Sequence, residues 1–91
     1  MTRTCVKFVV SGFVQGVGFR FHTCHEGNKR GLTGYARNLD NGDVEVVACG
    51  EQGALESLDQ WLQQGPTTSR VDKVISQPVE FKAYQGFQVL Y

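Results

Sequence analysis

The stretch Phe13-Val-Gln-Gly-Val-Gly-Phe-Arg20 constrains this chain more than any other, because it joins a strand directly to a helix through glycines. Upstream, residues 4–12 carry Val6, Phe8 and Val10 on one parity, the period-two pattern of a strand with one buried face. Downstream, residues 20–30 can be helical, with Phe21, Cys24 and Asn28 on one stripe and Gly27 costing ~1 kcal/mol relative to alanine in the interior. Between them, Gly16 and Gly18 allow positive φ, so that successive N–H groups can converge into a nest that holds an anion such as phosphate. No Ser, Thr, Asp or Asn is placed to cap the helix start. Either a bound anion satisfies those first N–H groups, or Gly18 simply serves as N-cap. Arg20 on the first helical turn opposes the helix dipole, a placement that makes sense if its guanidinium forks onto an anion held there. The third glycine of a dinucleotide fingerprint is absent, since Arg20 and Phe21 occupy that region.

The remaining elements follow from turn chemistry and periodicity. Gly31 is placed as a helix C-cap, and residues 32–39 and 43–49 form a hairpin around Asp40-Asn41-Gly42. Residues 54–64 carry Leu55, Leu58, Trp61 and Leu62 at helical spacing and stop at Gly65-Pro66. Residues 71–79 and 87–91 read as two further strands. Strand, helix, strand, strand, helix, strand is the α+β ferredoxin-like plan: an antiparallel sheet with two helices on one face, here with a short extra C-terminal strand. At 91 residues the chain is one domain, 1–91. Right-handed crossovers place the first strand beside the third. Setting Cys5 opposite Cys49 then matches Val6, Phe8 and Val10 with Ala48, Val46 and Val44 on one wholly apolar face, and Lys7 and Val9 with Val47 and Glu45 on the other.

At residues 12–20, GFVQGVGFR, and 34–50, GYARNLDNGDVEVVACG, the sequence resembles both signature motifs of the acylphosphatases, small enzymes that hydrolyse the carboxyl–phosphate bond of acyl phosphates. Gly12, Val14, Gln15, Gly16, Val17, Phe19 and Arg20 fit the first pattern; Gly34, Tyr35, Ala36, Arg37, Asn38, Gly42, Val44 and Gly50 fit the second. The resemblance extends over the whole length and implies the same fold. It further implies that Arg20 binds the substrate phosphate with the backbone N–H groups of Gln15, Gly16, Val17, Gly18, Phe19 and Arg20, and that the Asn38 amide orients the attacking water. A carboxylate leaving group is a weak base, so no general acid is required, and the substrate's own phosphate is the base proposed for the family. No cofactor and no metal are implied. The expected partners are a small acyl phosphate and inorganic phosphate as product and competitor.

The other candidates read as structural. His22, Cys24, His25 and Glu26 cluster in sequence but lack metal spacing, with Lys29 where a zincin histidine would stand. Arg37 reads as a surface charge and Arg30 as a side chain lying along its helix. Cys5 and Cys49 are placed permissively for a disulfide, but a reducing cytosol favours two thiols, the expected state. The formal net charge is zero, so the field that steers proteins to nucleic acid or anionic membranes is missing. An RNA-recognition module, which shares the fold plan, needs aromatics on the open faces of its first and third strands, where Cys5, Lys7, Val9 and Ser11 and then Asp43, Glu45, Val47 and Cys49 stand instead. A carbamoyl-phosphate-handling domain detached from a larger enzyme is the other rival, against which the length argues. No secretory pattern precedes Ser11-Gly12 and no apolar run reaches membrane length, so a cytoplasmic monomer is expected.

Overall fold

In a computed structural model, which describes residues 3–91, five strands and two helices follow in the order β1 (Arg3–Phe13), α1 (Phe19–Lys29), β2 (Thr33–Asn38), β3 (Val44–Glu51), α2 (Gln52–Gln64), β4 (Arg70–Val79) and β5 (Phe87–Leu90). The strands make one sheet ordered β4-β1-β3-β2-β5. β1 and β3 pair antiparallel with Cys5 opposite Cys49, Phe8 opposite Val46 and Val10 opposite Val44, the register expected from the apolar alternation. β5 joins β2 in parallel, so the sheet is mixed, with one parallel edge on an otherwise antiparallel array.

Both helices pack on one face. The main core joins Phe8, Val10, Val44, Val46, Ala48 and Ala36 of the strands to Phe19 and Cys24 of α1 and to Leu55, Leu58 and Leu62 of α2. β3 is central, so Val44–Gly50 is buried on both sides, whereas edge strand β4 stays largely exposed, which is why its alternation is poor.

α1 differs from its sequence reading. It starts at Phe19, and its inner face is Phe19, Thr23, Cys24 and Gly27; Phe21 is 70% exposed. Residue 21 lies about 200° around the helix from residue 19, so once Phe19 points inward Phe21 cannot. Gly27 allows the ring of Phe87 to approach so closely that a Cβ would sit 2.4 Å from it. Asn28, exposed on α1, grips Phe87 from both sides: its Nδ2 donates to the Phe87 carbonyl (3.2 Å) and its Oδ1 accepts from the Phe87 N–H (3.1 Å). This anchors β5 beneath α1.

The opposite face carries a smaller cluster in which Tyr35, Val79 and Tyr84 pack over Cys5, Val47 and Cys49. The sulfurs of Cys5 and Cys49 are joined as a disulfide, in place of the two thiols expected from a reducing compartment. Arg37 is not a free surface charge: it donates to Glu45 Oε2 at 2.8 Å, as does the Tyr35 hydroxyl, which allows Glu45 to be buried on β3. Arg30 lies along its own helix, as expected, pairing with Glu26 one turn earlier, and it also donates to Ser57 Oγ of α2.

Candidate active site

Three segments meet at one end of the sheet: the β1–α1 loop, the end of β2, and the end of β5. Just before the loop the β1–β4 ladder is interrupted: opposite Ser11 and Gly12, β4 carries one extra residue, Asp72, a bulge that breaks the pairing locally and increases the twist where β1 leaves the sheet. Gly16 and Gly18 have φ of 77° and 78°, and Val17 between them has negative φ. Alternating handedness of this kind can turn successive N–H groups toward one side, the backbone pattern of an anion nest. The Thr68 hydroxyl donates to the Val17 carbonyl at 3.0 Å. Because N–H and C=O of one trans peptide point in opposite directions, this bond turns the Gly18 N–H away from Thr68. Gly18 caps α1 in a left-handed conformation with no side-chain hydrogen bond, so the helix start offers donors with no side-chain partner.

Val14, Gly16, Gly18, Phe19, Arg20, Phe21, Val89 and Tyr91 enclose a pocket of about 140 Å³ here. Arg20 reaches across it to β5: Nη1 donates to the Leu90 carbonyl at 2.9 Å, and the guanidinium lies 4.9 Å from the centre of the Tyr91 ring. Those contacts fix the guanidinium against the end of β5, in the lining of this pocket. A larger hollow of about 480 Å³ lies beside Tyr35, Arg37, Lys82 and Tyr84, but neither Arg20, Asn38 nor the loop lines it.

Asn38 ends β2 on the same parity as buried Gly34 and Ala36, the face that the helices cover. Val44 pairs with both Val10 and Asn38, which sets Asn38 two strands from β1, roughly 10 Å away at ~4.8 Å per strand. On its other side, Leu90 pairs with Arg37, the neighbour of Asn38, so the carbonyl gripping Arg20 sits beside the end of β2. Asn38 Oδ1 is buried and has no hydrogen-bond partner, a cost of about 1–3 kcal/mol that a native structure rarely leaves without use.

Gln15 links the loop to this strand end. Its Nε2 donates to the main-chain carbonyls of Leu39 and Asp43, each at 2.8 Å, so the side chain faces the hairpin and only its backbone is available to the nest. Among the clustered residues of α1, Glu26 is committed to Arg30, and His22 and His25 are exposed. Burial pushes the Cys24 thiol up to about 11, against the lowering effects of a hydrogen bond from the Ala36 backbone and of Arg20, so it is not a nucleophile at neutral pH.

The sequence reading missed three contributors: the Leu90 carbonyl and Tyr91 ring on Arg20, Thr68 on the loop, and the side chain of Gln15. The first two act through exposed residues far along the chain. Only the aromatic end of the last strand gave a signal.

A sequence model of the acylphosphatase family matches residues 6–89. An acylphosphatase of Vibrio cholerae is 60% identical over 92 residues, covering 99% of this chain and all of the relative; one of Vibrio vulnificus is 57% identical over 90 residues with the same coverage. The solved structure of an acylphosphatase from Coxiella burnetii superposes with a TM-score of 0.93 at 40% identity, over 97% of this chain and 93% of that one. Matches of this extent, on a chain whose glycine nest, arginine and unpartnered asparagine gather at one sheet end, place it in the acylphosphatase family of enzymes that hydrolyse acyl phosphates.

Proposed function

We propose that Arg20 and the backbone N–H groups of residues 15–20 hold the phosphate of a small acyl phosphate, while Asn38 Oδ1 accepts a hydrogen bond from the attacking water. The observation that carries this reading is the buried, unpartnered Asn38 Oδ1 at the sheet end where the nest and Arg20 gather. A phosphoryl group in transfer needs charge neutralisation and an in-line nucleophile more than covalent chemistry. The guanidinium fork and the amides supply the first, and a water fixed by a carboxamide supplies the second. The bond between phosphorus and the acyl oxygen breaks, the water oxygen bonds to phosphorus, and a carboxylate and inorganic phosphate leave. The carboxylate needs no proton, and the phosphate oxygens of the substrate take the proton from the water.

The enzyme acts as a cytoplasmic monomer. No helix among the described residues is long and apolar enough to cross a membrane. The Cys5–Cys49 bridge is compatible with a reducing compartment because Cys5 and Cys49 are 1% and 0% exposed, which denies a reducing thiolate access. The test is a spectrophotometric assay of benzoyl phosphate with inorganic phosphate as competitor. Turnover with competitive inhibition is expected; turnover that phosphate does not inhibit contradicts the proposed anion cradle.

A further inference from the structure

We propose that the Gln15 side chain is a positioning residue that fixes the bearing of the phosphate cradle relative to Asn38, an inference that rests on the roles just given to both. The Gln15 backbone belongs to the cradle, but its carboxamide crosses to the β2–β3 hairpin. A primary amide has two N–H donors. Nε2 directs them at Leu39 O and Asp43 O, each 2.8 Å away. Leu39 directly follows Asn38, and Asp43 O also accepts the Leu39 N–H at 2.8 Å, closing the hairpin mouth. The amide is thus wedged into the turn that immediately follows the water-orienting residue.

Little else ties the two parts together. The loop and Asn38 stand on opposite sides of β3, which separates their strands by roughly 10 Å. Among the described residues, no backbone–backbone hydrogen bond links residues 14–18 to residues 38–43. In-line attack requires the water and the phosphorus within about 3–3.5 Å, and a misplacement of about 1 Å can cost 10²-fold in rate. A cradle free to drift against the hairpin still binds phosphate but presents it off-line to the water. The chemistry also specifies the side chain. Glutamate would set an ionised carboxylate against two carbonyl oxygens, methionine has the length but no donors, and asparagine is one methylene too short.

Two substitutions and one double variant test this. Gln15→Met is expected to lower kcat for benzoyl phosphate 10- to 100-fold, while the inhibition constant of inorganic phosphate stays within about twofold, measured well below the midpoint of thermal unfolding. Gln15→Glu is expected to be at least as impaired at neutral pH. Its activity relative to the unsubstituted enzyme should recover as pH falls and the new carboxyl gains a proton, since an O–H can donate to one of the two carbonyls; the same ratio for Gln15→Met stays flat. In an Asn38→Ala background, Gln15→Met should add almost no further loss, because Gln15 acts through Asn38. The proposal is overturned by unchanged kcat in Gln15→Met, by phosphate affinity falling in step with kcat, by a Gln15→Glu ratio as flat as that of Gln15→Met, or by additive losses in the double variant. Full activity in Asn38→Ala alone would instead remove the reading of Asn38 itself, and this proposal with it.

Discussion

Gly27→Ala should destabilise the protein even though helix propensity favours it. Within a helix, alanine is better than glycine by about 1 kcal/mol. Gly27 of α1, however, faces the ring of Phe87, and a Cβ there would lie 2.4 Å from Cδ2 and 2.7 Å from Cε2 and Cγ. Carbon atoms rest at about 3.5–4.0 Å, so the ring must retreat by about 1 Å. It has little room to do so. Phe87 is 4% exposed, and its N–H and carbonyl are both held by Asn28. Overpacking of this kind costs about 1–3 kcal/mol, and the pinned backbone puts the site toward the upper end. The net loss is about 1–2 kcal/mol, which for a domain of this size lowers the thermal midpoint by roughly 5–15 °C. A shifted β5 also moves Leu90, whose carbonyl holds Arg20, so KM for benzoyl phosphate should rise. Thermal unfolding followed by circular dichroism measures the first effect and steady-state kinetics the second. Phe87→Leu introduced into the Gly27→Ala variant should recover part of the loss by vacating ring volume. A Gly27→Ala protein about 1 kcal/mol more stable than the original, at the value propensity alone gives, would refute the reasoning.

Arg20→Lys should lower kcat/KM by about 10²-fold and weaken inhibition by inorganic phosphate, because a point charge cannot form a guanidinium fork or stack flat on Tyr91; an unchanged phosphate inhibition constant would contradict this. Tyr35 is pushed up to about 12 by burial and by its hydrogen bond to Glu45, so the native state holds a proton that the unfolded chain releases near pH 10. That contribution is present below pH 10 and is lost as pH rises through 12. The Tyr35→Phe variant should therefore lose less stability than the original protein between pH 10 and 12 in denaturant titrations, and identical losses would count against it.

Where a short-range period or a turn residue decides the outcome, the sequence was enough. The apolar alternation of Val6, Phe8 and Val10 against Val44, Val46 and Ala48 specified the β1–β3 register because a slip by one residue would turn an apolar face to solvent. Leu55, Leu58 and Leu62 likewise marked the inner face of α2. The inner face of α1 was not legible because it combines a phenylalanine, a threonine, a cysteine and a glycine, with no hydrophobic stripe to find. Its Gly27 is explained by Phe87, near the other end of the chain, and not by anything local. Arg37 looked like a surface charge because its partner Glu45 sits on the neighbouring strand, on a face covered only once Tyr35 and Tyr84 have folded over it. At the candidate site, the nest glycines and Arg20 were legible as local chemistry. The partners of Gln15, Thr68 and Arg20 are main-chain carbonyls, which any residue type supplies and which therefore leave no trace in a sequence.

In the proposed mechanism, holding the phosphate and directing the water are separate tasks, given respectively to Arg20 with its loop and to Asn38. Asn38→Ala separates them, because the Asn38 Oδ1 it removes has no hydrogen-bond partner, while the Leu90 carbonyl that holds Arg20 is main chain and stays in place. Measuring kcat for benzoyl phosphate alongside the inhibition constant of inorganic phosphate in this variant is the most direct test. A fall in kcat of about 10²–10³-fold, with phosphate inhibition within about twofold of the original, is the predicted result. Retained turnover, or phosphate inhibition lost together with turnover, would contradict it.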